Sequence, residues 1–151
     1  MSRSSYSDDF GEDFPNQLEL YRANVARSMR GRAGQARLRE LRDALLALPV
    51  KELHESVFAR GTAEHPQVCA LGAWALRRAG GDPVSAAALV PSDADDGDTA
   101  HELAPLGWPD LVVRDIIYEN DLGGYRNALE TPAERYTRVL AWVESQIVEA
   151  P

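Results

Sequence analysis

The chain has 151 residues, which suits a single domain with a real core, since compact domains usually run ~100 to 150 residues. Hydrophobic residues make up 44% and charged residues 26% of it, globular values that exclude a low-complexity chain, and no run approaches the ~18 consecutive apolar residues of a membrane span. One cysteine, Cys69, excludes an internal disulfide framework, and with three scattered histidines it argues against a dedicated zinc site.

The formal net charge of -8 is unevenly spread. Residues 1–15 carry a net -3. Residues 16–50 hold seven arginines (Arg22, Arg27, Arg30, Arg32, Arg37, Arg39, Arg42) against Glu19, Glu40 and Asp43, a net +4, and residues 51–151 carry -9. A basic island thus lies between two acidic regions. Nearly every basic residue is Arg and alanine is abundant, which points to a GC-rich coding genome before it points to guanidinium chemistry.

The opening MSRSSYSDDFGEDFP has no apolar h-region, so no secretory signal is expected and the cytoplasm in which the chain is made is the expected compartment. Residues 1–15 lack any apolar period and are expected to form a disordered acidic tail, with 16–151 as one helical domain. A first helix is predicted from an Asn16 cap, with Leu18, Tyr21, Val25 and Met29 on one face and a left-handed Gly31 at its end. After Gly31-Arg32-Ala33-Gly34 a second helix aligns Leu38, Leu41, Leu45 and Leu48 and stops before Pro49.

Residues 53–68 suit either a further helical turn, the preferred reading, or a short β-hairpin. CALGAWALRRA, from Cys69, reads as a buried central helix ended by Gly80-Gly81, and Asp82-Pro83 caps and starts the next turn. PSDADDGD, residues 91–98, reads as an acidic loop, followed by a short helix over about 99–106 that Gly107 ends. Pro109 starts a helix apolar on more than one side through Leu111, Val112, Val113, Ile116 and Ile117, and residues 120–124 read as a loop. Thr131-Pro132-Ala133-Glu134 joins a capping box to a first-turn proline, ahead of an apolar arc of Tyr136, Val139, Leu140, Val143 and Ile147. The predicted class is therefore all-α, a compact bundle of about five to seven helices with at most one short hairpin.

Known chemistries fit poorly. With Gly97 at position six of a calcium loop, Leu103 falls where the bidentate carboxylate belongs, so the aspartates read as a solvated loop and no metal is expected. The rhythm of residues 100–117 suggests a helix-turn-helix, but its second helix offers Arg114 alone against Asp110, Asp115 and Glu119. Gly31-Arg32-Ala33-Gly34 has the GxxG form of a KH clamp without the flanking strands, and helix punctuation explains the same glycines. No GxSxG, Walker or HExxH pattern occurs, Cys69 reads as a small buried hydrophobe, and no cofactor is expected.

Within the basic island, helix pairs Glu19 with Arg22, Arg37 with Glu40 and Arg39 with Asp43 account for several charges. Arg27, Arg30 and Arg32 are left as a candidate binding surface, and Trp142, one turn from Arg138, is a candidate for stacking or a protein contact. Tyr118, Glu119, Asn120 and Asp121 form a candidate polar cluster at a helix end, where an unfamiliar enzyme site would have to sit.

Four segments together resemble a group of uncharacterised proteins encoded by bacteriophages and prophages of GC-rich bacteria. They are the turn from Arg27-Ser28-Met29-Arg30-Gly31 to Gly34-Gln35, the LLALP run ending at Pro49, VCALGA from Val68, and the YEND run from Tyr118 with the Glu130-Thr131-Pro132 helix start. The similarity spans roughly residues 16–147. It implies a small phage accessory protein, of a kind that often acts by binding a host or phage protein, and the missing catalytic patterns make a non-enzymatic role the expectation. Nucleic-acid binding through the arginine-rich helix pair 16–48 is the alternative, no membrane partner is expected, and a homodimer is admissible although no heptad asks for one.

Overall fold

The computed structural model describes residues 15–126 and 130–149. The described residues are mainly helical, with one short hairpin. Among the described residues seven α-helices follow in order: α1 (Pro15–Arg30), α2 (Arg32–Ala47), α3 (Ala70–Arg78), α4 (Pro83–Ala87), α5 (Asp96–Leu103), α6 (Asp110–Arg126) and α7 (Pro132–Gln146). Between α2 and α3 two short strands, β1 (Ala59–Gly61) and β2 (Pro66–Val68), pair antiparallel with Ala59 opposite Val68 and Gly61 opposite Pro66. Residues 53–68 therefore hold the hairpin and not the preferred helical turn. None of these helices is long and apolar enough to cross a membrane.

The centre of the fold is α3, whose residues from Ala70 to Leu76 are all buried. Small side chains at Ala70, Gly72, Ala73 and Ala75 let neighbours approach it closely, while Leu71, Trp74 and Leu76 fill the space between them. Helix α2 packs on it, and Leu38, Leu41 and Leu45 with the α2 C-cap Leu48 are buried in the shared core as their spacing predicts, each contributing roughly 1.5–3 kcal/mol of burial. Helix α6 also packs on α3 and supplies Val112, Val113 and Ile116, while α7 packs on α2 and α6 and supplies Tyr136, Val139 and Val143. Tyr136 also donates its hydroxyl to the Leu45 carbonyl at 2.8 Å, so it joins α7 to α2 without burying an unpaired polar group.

Several boundaries depart from the sequence reading for identifiable reasons. Helix α1 already runs at Pro15, so Asn16 lies inside it, and the disordered tail assigned to residues 1–15 otherwise lies outside the described residues. Gly31 is not a left-handed terminator: at φ -65° and ψ 164° it is the extended N-cap of α2, which starts at the next residue. Gly34 sits inside α2, not in a clamp loop. A Cβ there would fall 2.2 Å from the Ser28 carbonyl oxygen, so glycine permits the close α1–α2 corner. Gln35 secures that corner by donating to the carbonyls of Met29 and Gln146 and accepting from the Val148 N–H.

Helix α5 starts at Asp96, three residues earlier than read, because Asp95 and Asp98 form a reciprocal capping box. A 3-10 turn, Ala104–Leu106, then leads to Gly107, which ends it in the left-handed region at φ 91°. The largest correction concerns residues 120–124, which are not a loop: α6 continues through them to Arg126. The caps at Asp82 and Thr131 stand as the sequence indicates, Thr131 accepting from Glu134 N–H while the Glu134 carboxylate accepts from Thr131 N–H.

Candidate functional site

A half-open cavity of about 460 Å³ lies between the 56–60 segment, the start of α3, the α4–α5 connection and α6. That size falls within the ~300–1,000 Å³ of small-ligand sites. Its walls are largely apolar, with Val57, Phe58, Val90, Ile116 and Ile117, and its polar groups include Cys69, Asn120, Asp96 and Asp121, with Arg60 at the strand side.

Asn120 organises this wall. It is 2% exposed. Its Oδ1 accepts the Ala70 N–H at 3.0 Å, capping the first turn of α3 from another helix. Its Nδ2 donates to the His54 carbonyl and to Asp121 Oδ1, each at 3.2 Å. One side chain thus ties α6 to α3 and to the segment before the hairpin. Cys69 is the N-cap of α3, its Sγ accepting the Gly72 N–H at 3.3 Å. Burial pushes its thiol up to about 12, so it stays protonated near neutrality and is no ready nucleophile. The His54 imidazole is not in the cavity wall. It faces Glu52, Arg60 and Arg135, and its pKa is lowered chiefly by burial.

Asp121 is buried one helical step further on. It accepts from Asn120 and from the backbone N–H of Ser56, and the charges that push its pKa up besides burial are the carboxylates Glu55 and Asp96. Ser56 presents that N–H from a left-handed conformation at φ 58°, which costs a non-glycine residue about 1 kcal/mol. The carboxyl of Asp121 rises from 3.8 to about 6, mainly because burial disfavours its charge. Asp115, also on α6, rises to about 7 through burial and the nearby Glu119.

Folded Asp121 keeps its proton up to about pH 6 and the unfolded chain releases it near 3.8, so the folded state binds the extra proton between these values. Its contribution is therefore complete at low pH and lost as pH rises through the window. Asp115 acts the same way up to about pH 7. Urea midpoints measured across that range are expected to show a shallower fall with pH in Asp121→Asn and in Asp115→Asn than in the parent chain. Parallel curves for parent and variants would contradict the buried placement of both carboxyls.

The sequence-selected residues separate in space. Asn120 and Asp121 do come together with Cys69, although in mid-helix and not at a helix end. Glu119 turns instead toward Arg138, 3.7 Å away. Arg138 and Arg135 share the buried Glu130 carboxylate, at 2.8 and 3.4 Å. The Arg138 guanidinium thus serves an α6–α7 ionic network, while Trp142 packs at the margin of the core. Tyr118 is half-buried on α6.

Arg27, Arg30 and Arg32 are exposed around the α1–α2 corner, away from the cavity. Arg37 pairs with Glu40 as expected, at 2.7 Å, whereas Arg39 donates to the Val148 carbonyl and Asp43 is taken by Arg42. Among the described residues no group of three or more His, Cys, Asp or Glu is arranged to hold a metal ion. Sequence reasoning missed Asp96, Phe58 and Val90 as cavity residues, since each belongs to a different segment and only the fold brings them together. Comparison with protein-family models, with curated proteins and with solved structures found no match to this chain.

Proposed function

We propose that the protein is a non-enzymatic accessory protein, phage-encoded as the sequence resemblance implies, that binds a host or phage protein through the cavity beside α3. The carrying observation is the composition of that cavity: buried carboxyls on apolar walls, with a thiol held protonated and no imidazole beside it. Such a wall suits recognition, in which apolar area supplies affinity and a few polar groups fix orientation. A specific observation also favours a second reading, nucleic-acid binding: Arg27, Arg30 and Arg32 are exposed at one corner, Arg27 donating to Asn24 on its own helix, while Arg37, Arg39 and Arg42 are engaged by Glu40, the Val148 carbonyl and Asp43.

Affinity capture from bacterial lysate, with and without nuclease, separates the two. Ala94→Arg provides the control, because Ala94 lies on the loop bordering the cavity and a long cationic side chain there obstructs it. A nuclease-resistant partner recovered by the parent chain and lost with Ala94→Arg is the expected result. Recovery that vanishes with nuclease, or that Ala94→Arg leaves unchanged, overturns the cavity reading.

A further inference from the structure

We infer that the cavity takes an ammonium group carried on an apolar body, with the head beside Asp121 and the body along Phe58, Val90 and Ile117. This rests on reading the cavity as a recognition site and names the chemistry that it recognises. Three features point the same way. The cavity is far larger than a water site and is walled mainly by aliphatic and aromatic side chains, so an occupant gains most of its affinity from apolar contact. Asp121 is 8% exposed, so it presents a carboxyl that is shielded from bulk water. Its neighbours supply two donors, the Asn120 amide and the Ser56 N–H, and further negative charge from Glu55 and Asp96. A cation entering there relieves carboxylate repulsion, whereas an anion would add to it.

The same head group is available from a lysine flanked by apolar residues in a protein segment and from a free amphiphilic amine. The length of the apolar body and the presence of flanking peptide groups distinguish these sources. The test titrates the full chain, followed by amide chemical shifts and calorimetry, with 2-phenylethylamine, with its neutral analogue 2-phenylethanol, and with a capped Phe-Lys dipeptide amide. The amine is expected to bind about tenfold tighter than the alcohol, a difference worth about 1.4 kcal/mol, with shifts at Phe58, Asn120 and Asp121. Asp121→Asn should bring the two affinities together. A dipeptide that binds tighter than the amine assigns the site to a protein segment, and the reverse order assigns it to a free amine.

Equal binding of amine and alcohol to the parent chain, or binding of neither, overturns the inference, and that comparison needs no variant to fold. Amine selectivity in a chain whose lysate partner is indifferent to Ala94→Arg sustains this inference and removes the partner reading. Equal amine and alcohol binding in a chain that loses its partner with Ala94→Arg does the opposite.

Discussion

Gly72→Ala is expected to lower stability by about 3 kcal/mol, the upper range for overpacking a core, or roughly 10 °C in Tm for a chain of this size. Gly72 lies in the first turn of α3, and a Cβ built there would sit 1.7 Å from the Phe58 carbonyl oxygen and 2.8 Å from its carbon. Both are backbone atoms, so no rotamer change relieves the clash. The Phe58 carbonyl is also fixed, because it accepts the Cys69 N–H at 3.3 Å. The hairpin segment must therefore withdraw from α3, and Phe58 withdraws with it from the cavity wall. Gly80→Ala supplies the comparison: nothing lies within 4 Å of a Cβ there, and the cost comes only from its φ of 70°, about 1 kcal/mol. Urea denaturation of the two variants should give clearly separated midpoints. Similar midpoints would mean that α3 and residue 58 do not approach as closely as described.

The contrast between these glycines shows which parts of the fold a sequence expresses. Gly80 and Gly81 follow a basic helix end, a local signal for left-handed termination, and they adopt it. Gly72 stands in the middle of an apolar run, and its reason is a carbonyl fourteen residues away. The leucines of α2 and the box at Thr131 were legible for the same reason as Gly80, since period and capping are properties of a few adjacent residues. The box at Asp95 was missed because its third residue is Asp and the surrounding acids resemble a loop. The pair Gly123-Gly124 suggested that α6 stops early, but residues 119–121 are held by Arg138, Ala70, His54 and Ser56 from other segments, and this tertiary bonding outweighs the local cost of glycine in a helix. Likewise Arg39 finds a carbonyl at residue 148 and not the carboxylate one turn away. Asn120, Asp121 and Cys69 were each visible as residues of interest. Their convergence on one cavity was not, because it depends on where α6 lands on α3.

Asn120→Asp keeps the shape of the side chain and the oxygen that accepts the Ala70 N–H, so the cap on α3 survives. It replaces the donating nitrogen by an oxygen facing two acceptors, the His54 carbonyl and Asp121 Oδ1. Two buried hydrogen bonds are lost and a second carboxylate is placed against the first, a combination that should cost about 3–4 kcal/mol near neutral pH. A buried carboxyl next to another has its pKa raised, so the folded variant binds more protons than the unfolded one, and the deficit must shrink as pH falls toward about 5. The protonated acid regains one donor, which is why recovery is partial. Asn120→Ala loses the cap along with the donors and adds no carboxyl, so its deficit should stay nearly constant over the same range. Denaturation midpoints at about pH 5 and about pH 8 decide the matter. If Asn120→Asp loses the same stability at both, its nitrogen does not bridge His54 and Asp121, and the cavity wall is assembled by some other contact.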